Sequence, residues 1–321
     1  MKSLICYLAL FMPLFAYSQK TDTLIRKLDS LDKKADTVSQ KNIINEGAYN
    51  EVTKITAKNY VVLLGSDFKQ QLLSPFTLGK KSWLKVAKFG AIAGGLLFAD
   101  EPVQQEVVTW RLHSNLIKNL SSYLSNSGGI YEGGVLVALS AYGFASKNEK
   151  IKTTSLLATQ AYITGEVFNQ VIKNLTSRQR PSAYNQDRVE SEPKFGGPFA
   201  SSGRDADGKK LNASFPSGHA TLAFAAATVY AMEYRNSPIV PIFAYTGATL
   251  ISLSRITENA HWITDVFVGA TLGYLTGRQV VNNYHRYAKI QNTKSGVGKF
   301  SLNIQHTRFG MLPGVVFRTG K

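Results

Sequence analysis

Apolar residues gather in six stretches, Phe89–Ala99, Gly129–Ala145, Thr153–Val171, Ala220–Met232, Ile239–Leu253 and Trp262–Leu275, with polar segments between them. These stretches predict a helical domain over 83–288. They are rich in Ala, Gly, Ser and Thr, which lets helices approach closely in water or in lipid. No internal repeat is visible. Upstream, 19–82 form a polar arm and linker in which Leu24, Leu28 and Leu31 recur at helical spacing, followed by a more apolar run from Val61 to Pro75. Downstream, in 289–321, Phe300, Leu302 and Ile304 alternate before a turn near Pro313-Gly314, which predicts a short C-terminal β-hairpin. The fold class expected is all-α, a helical bundle carrying that hairpin. Two strands cannot close a barrel, so the hairpin is expected to pack. A polar, Gly-rich stretch from Pro181 to Phe215 is long for a loop, and loops of that length are often functional.

The first residues change where this domain is expected to work. Met1-Lys2, an apolar run from Leu4 to Ala16, and small residues at Ala16 and Ser18 predict a signal peptide over 1–18 and an exported mature chain. The run falls short of the roughly 20 residues that span a bilayer. Cys6, the single cysteine, lies inside that leader, so a mature chain has no disulfide, no thiol chemistry and no cysteine-rich metal site. With 37 Lys+Arg against 21 Asp+Glu the formal net charge is +16. Such a surface attracts nucleic acid, anionic lipid or phosphorylated substrates, and export argues against nucleic acid.

Three short motifs carry candidate chemistry. Lys173 and Arg180, just before Pro181, are seven apart and would share a face if the preceding helix continued. Pro216-Ser217-Gly218-His219 stands directly before an apolar helix, placing Ser217 and Gly218 where free N–H groups and the helix dipole favour an anion. Ser254-Arg255 is followed by His261 and Asp265, which at i and i+4 can touch. A carboxylate on one imidazole nitrogen orients the ring and leaves the other free as a nucleophile. Lys173, Arg180 and Arg255 supply fixed positive charge, with the arginines suited to bidentate binding of phosphate oxygens. His219 can protonate a leaving oxygen. A nucleophile, a cationic cradle and an acid are the parts that phosphoryl transfer needs.

In this order and spacing the motifs resemble the type 2 phosphatidic acid phosphatase and vanadium haloperoxidase superfamily, whose pattern K-x6-R-P, P-S-G-H and S-R-x5-H-x3-D is met at every fixed letter. The resemblance covers about Trp83 to Tyr287. It implies an all-helical fold and a phosphohistidine intermediate on His261, oriented by Asp265. It implies His219 as general acid, and Lys173, Arg180, Ser217, Gly218 and Arg255 as phosphate ligands. No cofactor or divalent metal is implied, and vanadate is expected to inhibit as a phosphate mimic. The activity expected is hydrolysis of a lipid phosphomonoester or polyprenyl diphosphate. A vanadium-dependent haloperoxidase, a soluble periplasmic acid phosphatase of broad specificity and a non-enzymatic envelope protein are the alternatives.

Other features read as ordinary structure. Asp205-Ala206-Asp207-Gly208 lacks the remaining ligands of a calcium loop. Glu166 either pairs with a motif cation or makes a helical hydrogen bond, and Trp110 and Trp262 are expected to pack. His113, His285 and His306 show no partner pattern. Short helices and a slightly negative mean hydropathy favour a soluble protein. Lys147, Lys150 and Lys152, lying between two apolar stretches, favour a membrane topology in which five crossings bring all three motifs to the outer face. That places the protein in the cell envelope, at the inner membrane with a periplasmic site or soluble in the periplasm.

Overall fold

A computed structural model describes residues 52–182, 185–201, 203–204, 210–296, 299–307 and 310–318. The leader, the Leu24–Leu31 segment and the Asp205–Gly208 turn lie outside the described residues. The described chain forms eight α-helices: α1 Ala57–Leu73, α2 Lys80–Leu97, α3 Asp100–His113, α4 Asn115–Ala145, α5 Glu149–Thr176, α6 Gly218–Glu233, α7 Ile239–Thr257 and α8 Ile263–Gly296. The helical domain is therefore all-α. Past α8 the backbone of Lys299–Thr307 (β1) runs antiparallel to Gly310–Arg318 (β2), and nothing in the site depends on that pair.

Local chemistry sets the helix ends. The Asn148 side chain accepts from the backbone N–H groups of Lys150 and Ile151 and starts α5, while Ser177, in the left-handed region at φ 44°, ends it. Ser114 separates α3 from α4 and caps the latter by accepting from Ile117 N–H. Such caps satisfy donors that the first turn leaves over.

α6 is the central helix, packed on α5, α7 and α8. Eleven of its 16 residues are buried, all of them Gly, Ala, Thr, Leu, Phe or Val, which is the signature of a helix enclosed on every side. Its closest neighbour is α8, and the approach depends on Gly269, Gly273 and Gly277, which share one face at intervals of four. A Cβ at Gly269 would lie 2.5 Å from the Ser217 carbonyl oxygen and one at Gly277 2.5 Å from that of Ala225; at Gly273 it would overlap the Thr221 carbonyl oxygen. Since α6 begins at the candidate phosphate-binding turn, this stripe sets the distance between two of the three motifs. Gly273→Ala is expected to force the helices apart and cost about 1–3 kcal/mol, read as a lower midpoint in thermal unfolding, with unchanged unfolding as the contrary result.

The second half of the arm expected over 19–82 is helical and docked. Asn283 Nδ2 of α8 donates to Asp67 Oδ1 of α1 at 2.7 Å, Gln71 Nε2 donates to Thr276 Oγ1 at 3.0 Å, and Tyr60 and Thr159 hydroxyls lie 3.0 Å apart. The outer faces of α2, α4, α5 and α7 expose large apolar side chains, among them Trp83, Val137, Val167 and Phe243. Among the described residues α7 alone is long and apolar enough to cross a membrane, and α2 with α3 would add a second only as one span bent by 55°. Five crossings are therefore not carried by length and composition. The reason is visible in α5, where Thr154, Ser155, Gln160, Thr164 and Asn169 point into the bundle and lower the average of a helix whose outer face carries Ile163, Val167 and Val171.

Candidate active site

The first motif does not continue its helix. After the left-handed turn at Ser177 the chain runs extended: Gly196 N–H donates to Ser177 O, Gln179 N–H to Lys194 O, Arg180 N–H to Leu211 O, and Ser214 N–H to Arg178 O. Lys173 thus stands in the last turn of α5 while Arg180 comes from a loop strand. They do not share a helix face, because Ser177 breaks the helix four residues before Pro181. Both still act on the same place. Burial, reinforced by the like charge of Arg180, lowers Lys173 to about 8.

The second motif behaves as its sequence predicts. Ser217 is the N-cap of α6, fully buried, and its hydroxyl makes no cap bond and has no partner. A Cβ at Gly218 would stand 3.4 Å from Lys173 Nζ, so that ammonium lies against the first turn of α6. The turn is held from behind by Asn169, whose Nδ2 donates to Pro216 O and Thr221 Oγ1, and by Thr176, whose hydroxyl donates to Phe215 O. Ser217 N–H donates to Asp265 O and ties it to α8.

The third motif spans the end of α7, where Arg255 occupies the last turn, and the tight turn into α8. His261 precedes α8 rather than lying on it. Its turn is clamped from α3: Gln104 Nε2 donates to Ile256 O and Asn259 Oδ1, and Arg111 Nη1 donates to Glu258 Oε1 at 2.5 Å, an oxygen that also accepts from Ser121 and Ser122. His261 is 2% exposed.

Here the expected contact is not made. Asp265 Oδ2 lies 3.7 Å from His261 Nδ1, too far for a hydrogen bond, and His261 Nδ1 instead lies 2.7 Å from Ser214 O. The carboxylate is occupied elsewhere: Oδ1 accepts from Arg178 Nη1 at 2.6 Å, and Oδ2 accepts from Trp262 N–H at 2.9 Å and from the Ser214 hydroxyl. A carbonyl oxygen only accepts, so Nδ1 carries the proton and Nε2 keeps its lone pair.

The electrostatics show which groups share one space. Burial, then the charges of Arg180, Lys173 and Arg255, hold His261 well below the ordinary imidazole range. His219 falls to about 3 through burial and then Arg255, His261, Lys173 and Arg180. Burial and the surrounding cations, which repel a proton and attract an anion, thus favour the neutral form of both imidazoles. The charges of Lys173, Arg180 and Arg255 therefore bear on both imidazoles, and Lys173 Nζ lies against the start of α6, although these residues come from three separate motifs.

Arg178, Ser214 and Asp100 escape the motif reading. Arg178 sits inside the first motif and is as basic as its neighbours, so nothing in its local sequence marks it as structural. Asp100, which follows the apolar Phe98-Ala99 and opens α3, is a carboxylate in a place that calls for a partner, and that was the available signal. Of the residues read as ordinary, Trp262 packs fully buried and donates to Gln179 O, and Trp110 donates to Glu106. Glu166 accepts from Gln170 one turn on, and its charge also reaches Lys173. His285 Nε2 lies 2.8 Å from Glu233 Oε1, a contact that joins α6 to α8, and His113 Nδ1 lies 2.7 Å from Thr109 O within its own helix; His113 is exposed and His285 half-buried, as surface or boundary residues are expected to be. The side chain of His306 is outside the described residues.

Residues 154–289 match the model of the PAP2 superfamily. The matched part runs from α5 into α8 and holds all three motifs. Two curated relatives are similar to it: lipid A 1-phosphatase of Porphyromonas gingivalis, 46% identical over 72 residues covering 22% of this chain and 16% of the relative, and lipid phosphate phosphatase 1 of Arabidopsis thaliana, 34% identical over 128 residues covering 35% and 38%. The chain thus spans well under half the length of either. The crystal structure of LpxE from Aquifex aeolicus aligns with a TM-score of 0.42 at 20% identity, covering 57% of this chain and 94% of that one.

The lowered Lys173 makes a prediction with a definite sign. As pH rises through about 8 the free site loses one of its cations, so kcat/KM for a phosphomonoester is expected to fall on the alkaline side with an apparent pKa near 8. Lys173→Arg stays charged and is expected to remove that limb. The pH profile of both forms checks it, and an unchanged limb in the variant would assign the titration to another group.

Proposed function

We propose that the protein is a phosphatase acting on a lipid-borne phosphomonoester or diphosphate through a phosphohistidine intermediate. The observation that carries this is that Lys173 Nζ lies against the first turn of α6, where the buried Ser217 hydroxyl is unpartnered, while the charges of Lys173, Arg180 and Arg255 bear on both His219 and His261. Phosphate oxygens are bound by the three cations, the Ser217 hydroxyl and the first N–H groups of α6. His261 Nε2 attacks phosphorus and a bond forms there as the bond to the leaving oxygen breaks, its electron pair departing with that oxygen. His219, which takes up a proton as the bound phosphate dianion offsets the surrounding cations, gives that proton to the leaving oxygen. Water then attacks the phosphohistidine, the neutral His219 accepts its proton, and His261 is released with Nδ1–H still on Ser214 O. The cations carry the charge neutralisation that a metal would otherwise supply, so turnover in the presence of a chelator and inhibition by vanadate belong to the same proposal.

The lipid part rests on two supports. Both curated relatives are named as phosphatases, of lipid A and of lipid phosphate, which favours this reaction over halide oxidation. The outward faces of α2, α4, α5 and α7 carry many exposed large apolar side chains, which supports a protein seated at a membrane. The test is phosphate release by the full chain in detergent micelles with chelator, using phosphatidic acid, a glycolipid 1-phosphate, a polyprenyl diphosphate and a small soluble ester. Release from lipid substrates is expected; release from the soluble ester alone would replace the lipid assignment, and no release would sink the phosphatase.

A further inference from the structure

We propose that Arg178 and Ser214 are positioning residues for the His261 nucleophile, Arg178 by fixing Asp265 and Ser214 by passing that constraint to the imidazole. The inference rests on the phosphatase reading for its kinetic consequence but not for its geometry.

Ser214 is bonded through all three of its polar groups. Its N–H donates to Arg178 O at 3.0 Å, its hydroxyl donates to Asp265 Oδ2, and its carbonyl accepts from His261 Nδ1 at 2.7 Å. The residue that sets the imidazole tautomer is thus itself held by the carboxylate that the motif places nearby. Asp265 acts on His261 at one remove.

Arg178 holds the other end. It is fully buried, with Nη1 on Asp265 Oδ1 at 2.6 Å and Nη2 on Asp100 Oδ2 at 2.5 Å. Asp100 Oδ1 in turn accepts from the N–H and the hydroxyl of Thr264, the residue before Asp265. The guanidinium lies 4.7 Å from the Phe195 ring centroid and 5.8 Å from that of Trp262. A planar cation forked between two carboxylates and walled by aromatic rings has little freedom, and Asp265 inherits that rigidity. Both Nη groups of Arg178 are taken by buried carboxylates, which separates its task from that of Arg180 two residues on. The chain Asp100–Arg178–Asp265–Ser214–His261 joins α3, the first motif, α8 and the segment before α6 to one imidazole.

Removing Arg178 outright would strand two buried carboxylates and threaten folding, so the test uses milder changes. Arg178→Lys keeps the charge and loses the fork; Ser214→Ala loses the hydroxyl and keeps the carbonyl; Ser214→Thr keeps both. With phosphatidic acid in detergent micelles as the probe, Arg178→Lys and Ser214→Ala are expected to lower kcat about 10- to 100-fold with KM within about 3-fold, because the nucleophile is misplaced while the cradle is intact. Ser214→Thr is expected to restore most of kcat. The Nδ1–H proton resonance of His261, assigned by its loss in His261→Ala, is expected to shift in both impaired variants, and this readout needs no turnover. Wild-type kcat and an unmoved resonance in both variants would overturn the proposal, as would a loss confined to KM. A wild-type protein inert on every phosphate, with the resonance shifting as described, would instead fail the phosphatase reading and leave the positioning role standing.

Discussion

Replacing His261 with alanine is expected to remove phosphate release altogether, a loss of about five orders of magnitude or more in kcat, the scale seen when a covalent nucleophile is deleted. The expectation follows from position and protonation together. Burial, and then the cations around it, hold His261 well below the ordinary imidazole range, and the Ser214 carbonyl fixes its proton on Nδ1, which leaves Nε2 for phosphorus. Nothing else in the cradle can take its place: Ser217 is a weak nucleophile with no base bonded to it, and Lys173 and the arginines are needed as charges. Substrate binding should survive, because the cations and the start of α6 remain. The check is kcat and KM for the variant beside its thermal unfolding; full activity in a folded His261→Ala would end the assignment.

His219→Ala carries the second largest effect, a fall in kcat of about 100- to 10,000-fold on a substrate with a poor leaving group, the usual worth of a general acid. Burial, and then the charges of Arg255, His261, Lys173 and Arg180, lower His219 to about 3. A bound phosphate dianion offsets those charges, so the imidazole gains affinity for a proton when substrate arrives. Two results follow. Binding of vanadate or phosphate should take up a proton, and should therefore strengthen as pH falls while the anion keeps its own charge. And phosphoenzyme formation in His219→Ala should recover when the leaving group is a nitrophenolate, which departs without a proton. Equal losses on an alkyl and a nitrophenyl phosphate would argue that His219 binds rather than protonates.

The residues proposed to meet substrate were legible because that chemistry demands particular letters at particular places. Pro216 to His219 before an apolar run is a helix start wherever it occurs, and α6 begins there. The residues that hold those groups in place were not legible. Arg178 and Asp100 are 78 positions apart and meet only because α3 folds over the start of α8, a relation that no local pattern records. The helix expected to carry Lys173 and Arg180 on one face stops at Ser177, a serine in the left-handed region where glycine or asparagine would have given notice. The direct bond expected between His261 and Asp265 followed from i, i+4 spacing, which applies within a helix, and His261 stands outside α8. The outer apolar faces were also obscured: α5 turns its polar residues inward, so an average over the helix hides a surface that a side-by-side view of its two faces reveals.

The central claim is that two imidazoles and three cations close around one phosphate, with His261 forming the covalent bond. Quenching the full-length protein within milliseconds of mixing with labelled lipid phosphate, in acid-free denaturant, tests it most directly. Label retained on the peptide containing His261, stable in alkali, lost in acid and absent from His261→Ala, is the result predicted. Phosphate released at the wild-type rate with no label ever found on His261 would contradict it.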